Sequence, residues 1–185
     1  IAVHAIGDAA VARVLDGYAA ARAANGATGL RHRIEHLELV DDADFARIAE
    51  LDVVASIQPP HAPGCSGLPL EPTLSNIGRE RWGDAFAWQK IAGRGAIHSA
   101  VTRAAWVPDV PDQRFSLEVA LRGYTIGGAY AERSDSYKGS LEVGKVADVV
   151  ILDRDLTSLA DPDEIRDVAV TATICGGRVV FRAED

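Results

Sequence analysis

Two histidines stand at positions where chemistry is usually done. His4 closes the apolar run Ile1-Ala2-Val3, and His36 closes Arg31-His32-Arg33-Ile34-Glu35; each is followed by a helical pattern. In parallel α/β sheets and barrels, sites are built where strands end and lead into helices. Neutral imidazole is a common ligand for Zn2+ and related ions, so His4 and His36 are candidate metal ligands. A carboxylate then usually orients such a ring or acts as base. A strand-end histidine alone is more often a hydrogen-bonded structural residue. It is the pairing that raises the metal reading.

The other histidines carry less. His61, in Gln58-Pro59-Pro60-His61, follows a third apolar run and reads equally well as a pocket residue or as an exposed loop residue. His32 lies four residues before His36 and suits packing; His98 falls in a helical pattern and reads as structural. Arg31, Arg33 and Glu35 read as strand-edge ion pairs, and Gly7-Asp8 as a turn with a helix cap. Gly64, Gly67 and Gly78 make no phosphate cradle. There is no GxSxG, Walker or GxGxxG signature, which argues against a serine hydrolase or nucleotide enzyme.

The elements that would position these residues alternate through the first third. Ile1 to His4 ends a strand, and Asp8 opens a helix with Val11, Val14, Leu15 and Tyr18 on one stripe. Asn25-Gly26 stops it. Arg31 to His36 is a second strand, with His32, Ile34 and His36 on one face. Asp41 or Asp42 caps a helix bearing Phe45, Ile48 and Leu51, and Val53 to Ile57 forms a third strand. Strands separated by helices imply a parallel sheet. A long Pro-, Gly- and Ser-rich loop runs from Gln58 to about Trp82. A helix is expected over 84–91, then another over 97–103 with no strand between; an alternating chain would place a strand at Ala96-Ile97.

Past the Pro108 and Pro111 loop, Ser116 caps a helix to about Leu121, and a second short helix covers 124–130. The character changes at Lys138. Ser140 to Lys145 reads as a turn or short hairpin, and Val149 to Leu152 as a strand. Asp161-Pro162-Asp163-Glu164 starts a short helix with proline near its first position. Val168 to Cys175 and Arg178 to Phe181 form a hairpin around Gly176-Gly177.

Composition sets bounds. With 185 residues and 48% hydrophobic content the chain can bury one ordinary core. A formal net charge of −8 argues against a nucleic-acid footprint. Two distant cysteines, Cys65 and Cys175, read as reduced thiols of a cytoplasmic protein. No apolar run approaches the roughly 20 residues of a membrane span. The chain begins on Ile1 without Met and reads as truncated.

Three blocks then become recognisable in order: His4-Ala5-Ile6-Gly7-Asp8, Arg31-His32-Arg33-Ile34-Glu35-His36, and Ser56-Ile57-Gln58-Pro59-Pro60-His61. They resemble successive blocks of the YtcJ-like branch (amidohydrolase family 3) of the metal-dependent amidohydrolase superfamily. Lys138 to Leu152 is similar to the tail of these hydrolases, and Thr173 to Val180 to their closing hairpin. The resemblance implies a (β/α)8 barrel with its metal centre at the C-terminal ends of the strands. His4 matches the ligand after strand five, His36 the ligand after strand six, and His61 the loop after strand seven near the substrate. Such enzymes hydrolyse amide, formamide or related carbon–nitrogen bonds with metal-activated water.

Two departures stand against the pattern. The family's His-x-His pair and strands one to four would precede Ile1. Its strand-eight Asp should fall between Gly95 and Ile97, where the alternation lapses, and Asp84 and Asp109 do not replace it, so no catalytic base is identified. The expectation is an α/β chain: a partial barrel over 1–137, with strands five to seven and strand eight deleted, plus a small β unit over 138–185. It implies hydrolysis of a non-peptide C–N bond, with Zn2+ or another divalent ion held weakly and little activity alone. Its partner would be a small-molecule substrate rather than nucleic acid or membrane, with association of copies open. The alternatives are a non-catalytic fragment or interaction module, and a related cyclic amidase or deaminase.

Overall fold

The computed structural model of the chain describes residues 1–64, 68–91, 97–102 and 110–184, without the side chains of Gln89, Ile91, Ile97, His98 and Ser99. Three strands, β1 (Ala2–Ala5), β2 (Arg33–His36) and β3 (Val54–Ser56), form a parallel sheet in sequence order. Ala2 pairs with Arg33, His4 with Glu35 and Ala5 with His36, while Glu35 pairs with Ser56. Helix α1 (Asp8–Asn25) crosses from β1 to β2, and α2 (Asp42–Glu50) from β2 to β3. Parallel strands need such crossovers.

The apolar stripe of α1 explains its seat. Val11, Leu15 and Tyr18 are buried at helical spacing and pack with Ile34, Leu37 and Ile48 in one core. The Tyr18 hydroxyl donates to the carbonyl of Arg33 at 2.9 Å, so the same helix also fastens the start of β2. His32 lies before β2 and stacks on the Tyr18 ring at 4.7 Å. The cap at α1 differs from expectation: Gly7 is the N-cap, and Asp8 accepts from the Ala9 amide and pairs with Arg81 at 2.6 Å.

Beyond β3, Pro59–His61 makes a 3₁₀ turn, α3 spans Thr73–Ile77, and a short 3₁₀ helix spans Trp88–Ile91. The helix expected over 84–91 is thus only its last turn. Ala85 instead bridges Leu39, and Phe86, with φ of 53°, donates its amide to the Glu38 carbonyl, which diverts the backbone from helical bonding. Helix α4 covers Ile97–Thr102, so Ile97 opens a helix rather than a strand. The expected strand-eight segment otherwise falls on residues 92–96, outside those described, as do Cys65 and Asp109.

Ser116 caps α5 (Leu117–Arg122) by accepting from the Val119 amide. The helix does not stop but passes through a π-helical turn, Gly123–Gly127, into α6 (Gly128–Ala131). The two helices expected, to about Leu121 and over 124–130, are thus one continuous helical run. Three further strands, β4 (Val149–Leu152), β5 (Val170–Cys175) and β6 (Arg178–Arg182), form an antiparallel meander. Gly176 and Gly177 turn β5 into β6 with φ of 55° and 77°, a two-residue loop suited to strand twist. The segment 140–145 is a turn, closed by the Lys145 amide on the Glu142 carbonyl. A 3₁₀ helix, Pro162–Asp167, begins with a capping box of Asp161 and Glu164, and its Ile165 packs on the main core. Cys175 is a free, exposed thiol. Among the described residues no helix is long and apolar enough to cross a membrane.

Arg31 ties the approach to β2 to the end of α6. Its guanidinium lies 3.7 Å from the Tyr130 ring centre, donates to the Tyr130 carbonyl and pairs with Asp135 at 2.6 Å. This bond holds the Asp135 carboxyl below its ordinary value. A carboxyl depressed in the folded state contributes stability above its unfolded pKa, about 3.9, and loses it as pH falls through the folded one. Thermal unfolding followed from pH 7 down to pH 2 should therefore show wild type losing more of its stability below about pH 4 than Asp135→Asn does.

Candidate metal centre

Strand register does not by itself bring His4 and His36 together. His4 lies beside Glu35, and His36 beside Ala5. Side chains alternate along a strand, so continued β geometry would point the two imidazoles to opposite faces. The backbone breaks that alternation. His36 has φ of 80° and Leu37 φ of 54°, two successive left-handed residues without a glycine. His36 Nε2 then comes within 2.8 Å of His4 Nδ1, with the rings 4.9 Å apart.

Left-handed conformations cost non-glycine residues on the order of 1–3 kcal/mol each and persist only where the surroundings impose them. Here the surroundings are specific. The Leu37 side chain is buried, its amide bonds the Ala5 carbonyl at 3.1 Å, and the Leu39 amide bonds the Ile6 carbonyl. From the other side, the Trp88 indole N–H is shared by the carbonyls of His36, at 3.0 Å, and Leu37, at 2.7 Å. Trp88 is itself 1% exposed and meets Phe86 edge to face.

The turn delivers Glu38 to the same place. Its Oε1 lies 3.5 Å from His61 Nδ1 and 4.0 Å from His36 Nδ1, and the His36 and His61 rings stack at 5.5 Å. His36, Glu38 and His61 form a group with the composition and spacing to hold a metal ion. Burial pushes the Glu38 carboxyl up, and the two imidazoles only partly offset it. Glu35, in register with His4, has the opposite balance: burial raises it, but bonds from Ser56 and Arg33 outweigh this and hold it low. The expected Arg33–Glu35 ion pair is present at 2.5 Å.

The residues fit a divalent cation. His36 Nδ1 is buried without a hydrogen-bond partner, the partly buried Glu38 carboxylate faces it at 4.0 Å, and the donors are imidazole and carboxylate. Two nitrogens on one tetrahedral zinc-sized ion sit about 3.3 Å apart for bonds of about 2.0–2.1 Å. The His4–His36 pair lies half an ångström inside that, within the reach of small ring rotations. His61 is half exposed at the mouth of the group. Asp84 is engaged in an ion pair with Lys90 at 3.3 Å.

Glu38 and Trp88 were not legible as site residues. Glu38 left one weak signal, a lone carboxylate between two leucines just past His36. The nearness of Trp88 is a product of the loop returning to β2.

A model of the amidohydrolase family matches residues 1–181, and the chain belongs to that family. It is similar to Protein LONG AFTER FAR-RED 3 of Arabidopsis thaliana, at 32% identity over 206 aligned positions covering 98% of this chain and 34% of that protein. It is also similar to an N-substituted formamide deformylase of Arthrobacter pascens, at 28% identity over 96% of this chain and 35% of that protein. The crystal structure of an uncharacterized metal-dependent hydrolase from Pyrococcus furiosus superposes with a TM-score of 0.63 and 32% identity, covering 83% of this chain and 33% of that one. The chain thus spans about a third of the length of the relatives it matches.

Glu38 generates a test of opposite sign to Asp135. A carboxyl raised in the folded state adds stability below its unfolded pKa, about 4.3, and loses it as pH rises through the folded one. With chelator present, wild type should lose stability relative to Glu38→Gln between pH 4 and pH 7. Denaturant midpoints at the two pH values measure it.

Proposed function

We propose that this chain supplies the C-terminal strands of a barrel hydrolase that cleaves carbon–nitrogen bonds other than peptide bonds, such as amides or substituted formamides. In this reading residues 1–137 are a partial (β/α)8 barrel carrying strands five to seven, and residues 138–185 are a separate small β unit. Strand eight, with its Asp, is deleted. What supports the deletion is an aligned length of 206 positions, longer than the chain, so that the Arabidopsis relative carries residues missing here. What supports the substrate class is the similarity to a formamide deformylase.

The observation that carries the reading is the approach of His4 Nδ1 and His36 Nε2 to 2.8 Å at neighbouring strand ends. These two residues hold zinc or another divalent ion. When bound, such an ion polarises a substrate carbonyl and acidifies water. His61, at the open side, donates a ring N–H to the substrate. Glu38, a carboxyl already pushed up by burial, exchanges a proton between its Oε1 and His61 Nδ1. Glu35, held ionised beside His4, favours positive charge at the pair. Without the strand-eight Asp no positioned base faces the pair, so the isolated chain hydrolyses little.

The test is elemental analysis of chelator-treated and zinc-reconstituted protein, with His4→Ala and His36→Ala alongside. Wild type should hold stoichiometric metal and both variants should lose it; hydrolysis of substituted formamides would then be assayed. Equal, negligible metal in all three proteins defeats the reading.

A further inference from the structure

The left-handed step at His36 and Leu37 has a dedicated donor. Trp88 lies fifty-two residues beyond His36, on a segment that belongs to no strand of the sheet. Its indole N–H reaches the two carbonyls that flank the Leu37 amide, one on each left-handed residue. Next to it the Phe86 amide bonds the Glu38 carbonyl and Ala85 bridges Leu39. Four consecutive residues, His36 to Leu39, are therefore held by 85–88. Apolar packing alone would place the ring of Trp88 but would not select the direction of these carbonyls. A hydrogen bond does, because it needs the acceptor pointed at the donor.

We infer that Trp88 is a positioning residue for His36: its indole N–H holds the His36–Leu37 backbone left-handed and so turns the His36 imidazole onto His4. The inference rests on the reading of His4 and His36 as the pair that holds a cation. Without the donor, the strand end relaxes toward ordinary β geometry, and the ring leaves the face shared with His4. Groups that orient a metal-binding histidine from behind typically matter 10–100-fold in affinity, and Trp88 acts at the backbone of that histidine.

The test uses the 185-residue chain with two replacements at position 88. Trp88→Phe removes the N–H and part of the ring. Benzothienylalanine at the same position keeps the bicyclic shape and replaces only the N–H, so it retains the packing if Trp88→Phe does not fold. Leu74→Ala, at a buried residue outside the core cluster that contains Trp88, serves as a control that lowers stability while leaving residues 85–88 in place. Zinc affinity by calorimetry should fall about 10–100-fold in both replacements, and the Co2+ absorption spectrum should change. In the control, thermal stability should fall while affinity and spectrum hold. In metal-free protein, the strong intraresidue amide–α NOEs expected of positive φ at His36 and Leu37 should weaken with the loss of the N–H.

Wild-type affinity in the benzothienylalanine protein overturns the inference, as do unchanged NOEs at both residues. Were wild type itself to bind no cation, the reading of the pair as a metal site would fail on its own. The NOEs of the metal-free proteins would then decide the role of Trp88 in turning His36.

Discussion

The site depends on a short reversal of backbone handedness at the end of β2. A parallel sheet places His4 beside Glu35 and offers no reason for His36 to join it. Two left-handed residues in succession change the direction of the chain within one peptide unit, and the His36 ring meets His4. Everything C-terminal to that step follows from it: Leu37 goes into the core, Glu38 turns toward His36 and His61, and Leu39 pairs with Ala85. No glycine eases the step, so the strain is balanced by the buried Leu37 side chain and by donors from both sides.

Three carboxylates in this chain behave differently because their partners differ. Asp135 meets a guanidinium and is held low. Glu35 is partly buried but receives bonds from Ser56 and Arg33 that outweigh desolvation. Glu38 is as well covered as Glu35 yet faces only imidazoles, whose charge is conditional, and burial wins. An electron-rich pocket of this kind is stabilised by a proton or by a cation. This is the physical link between the family's metal chemistry and the residues on hand.

The sheet itself bears on how the chain sits within its family. Among the described residues β1 and β3 each have one strand neighbour, and a closed barrel has none of these edges. The Pyrococcus furiosus hydrolase, of which this chain covers 33%, shares this fold over 83% of the chain. The antiparallel meander is similarly open, with Val150, Val179, Val180 and Phe181 exposed on it.

Sequence alone determined the alternation of strands and helices up to β3, the strand and closing hairpin after Lys138, the stripe of α1, and family membership through motifs around His4, His36 and His61. These depend on local periodicity, on turn residues and on residue identity, which a linear text carries. It misjudged segment 84–91 and the break after Leu121. There, contact with the turn after β2 diverts the backbone in one case, and the helix continues through a π-turn in the other. Glu38 and Trp88 could not be read at all, because their roles come from atoms brought close across the fold. Only the tertiary structure decided that the two histidines face each other, since strict alternation would have parted them and a donor fifty-two residues away holds the turn that joins them.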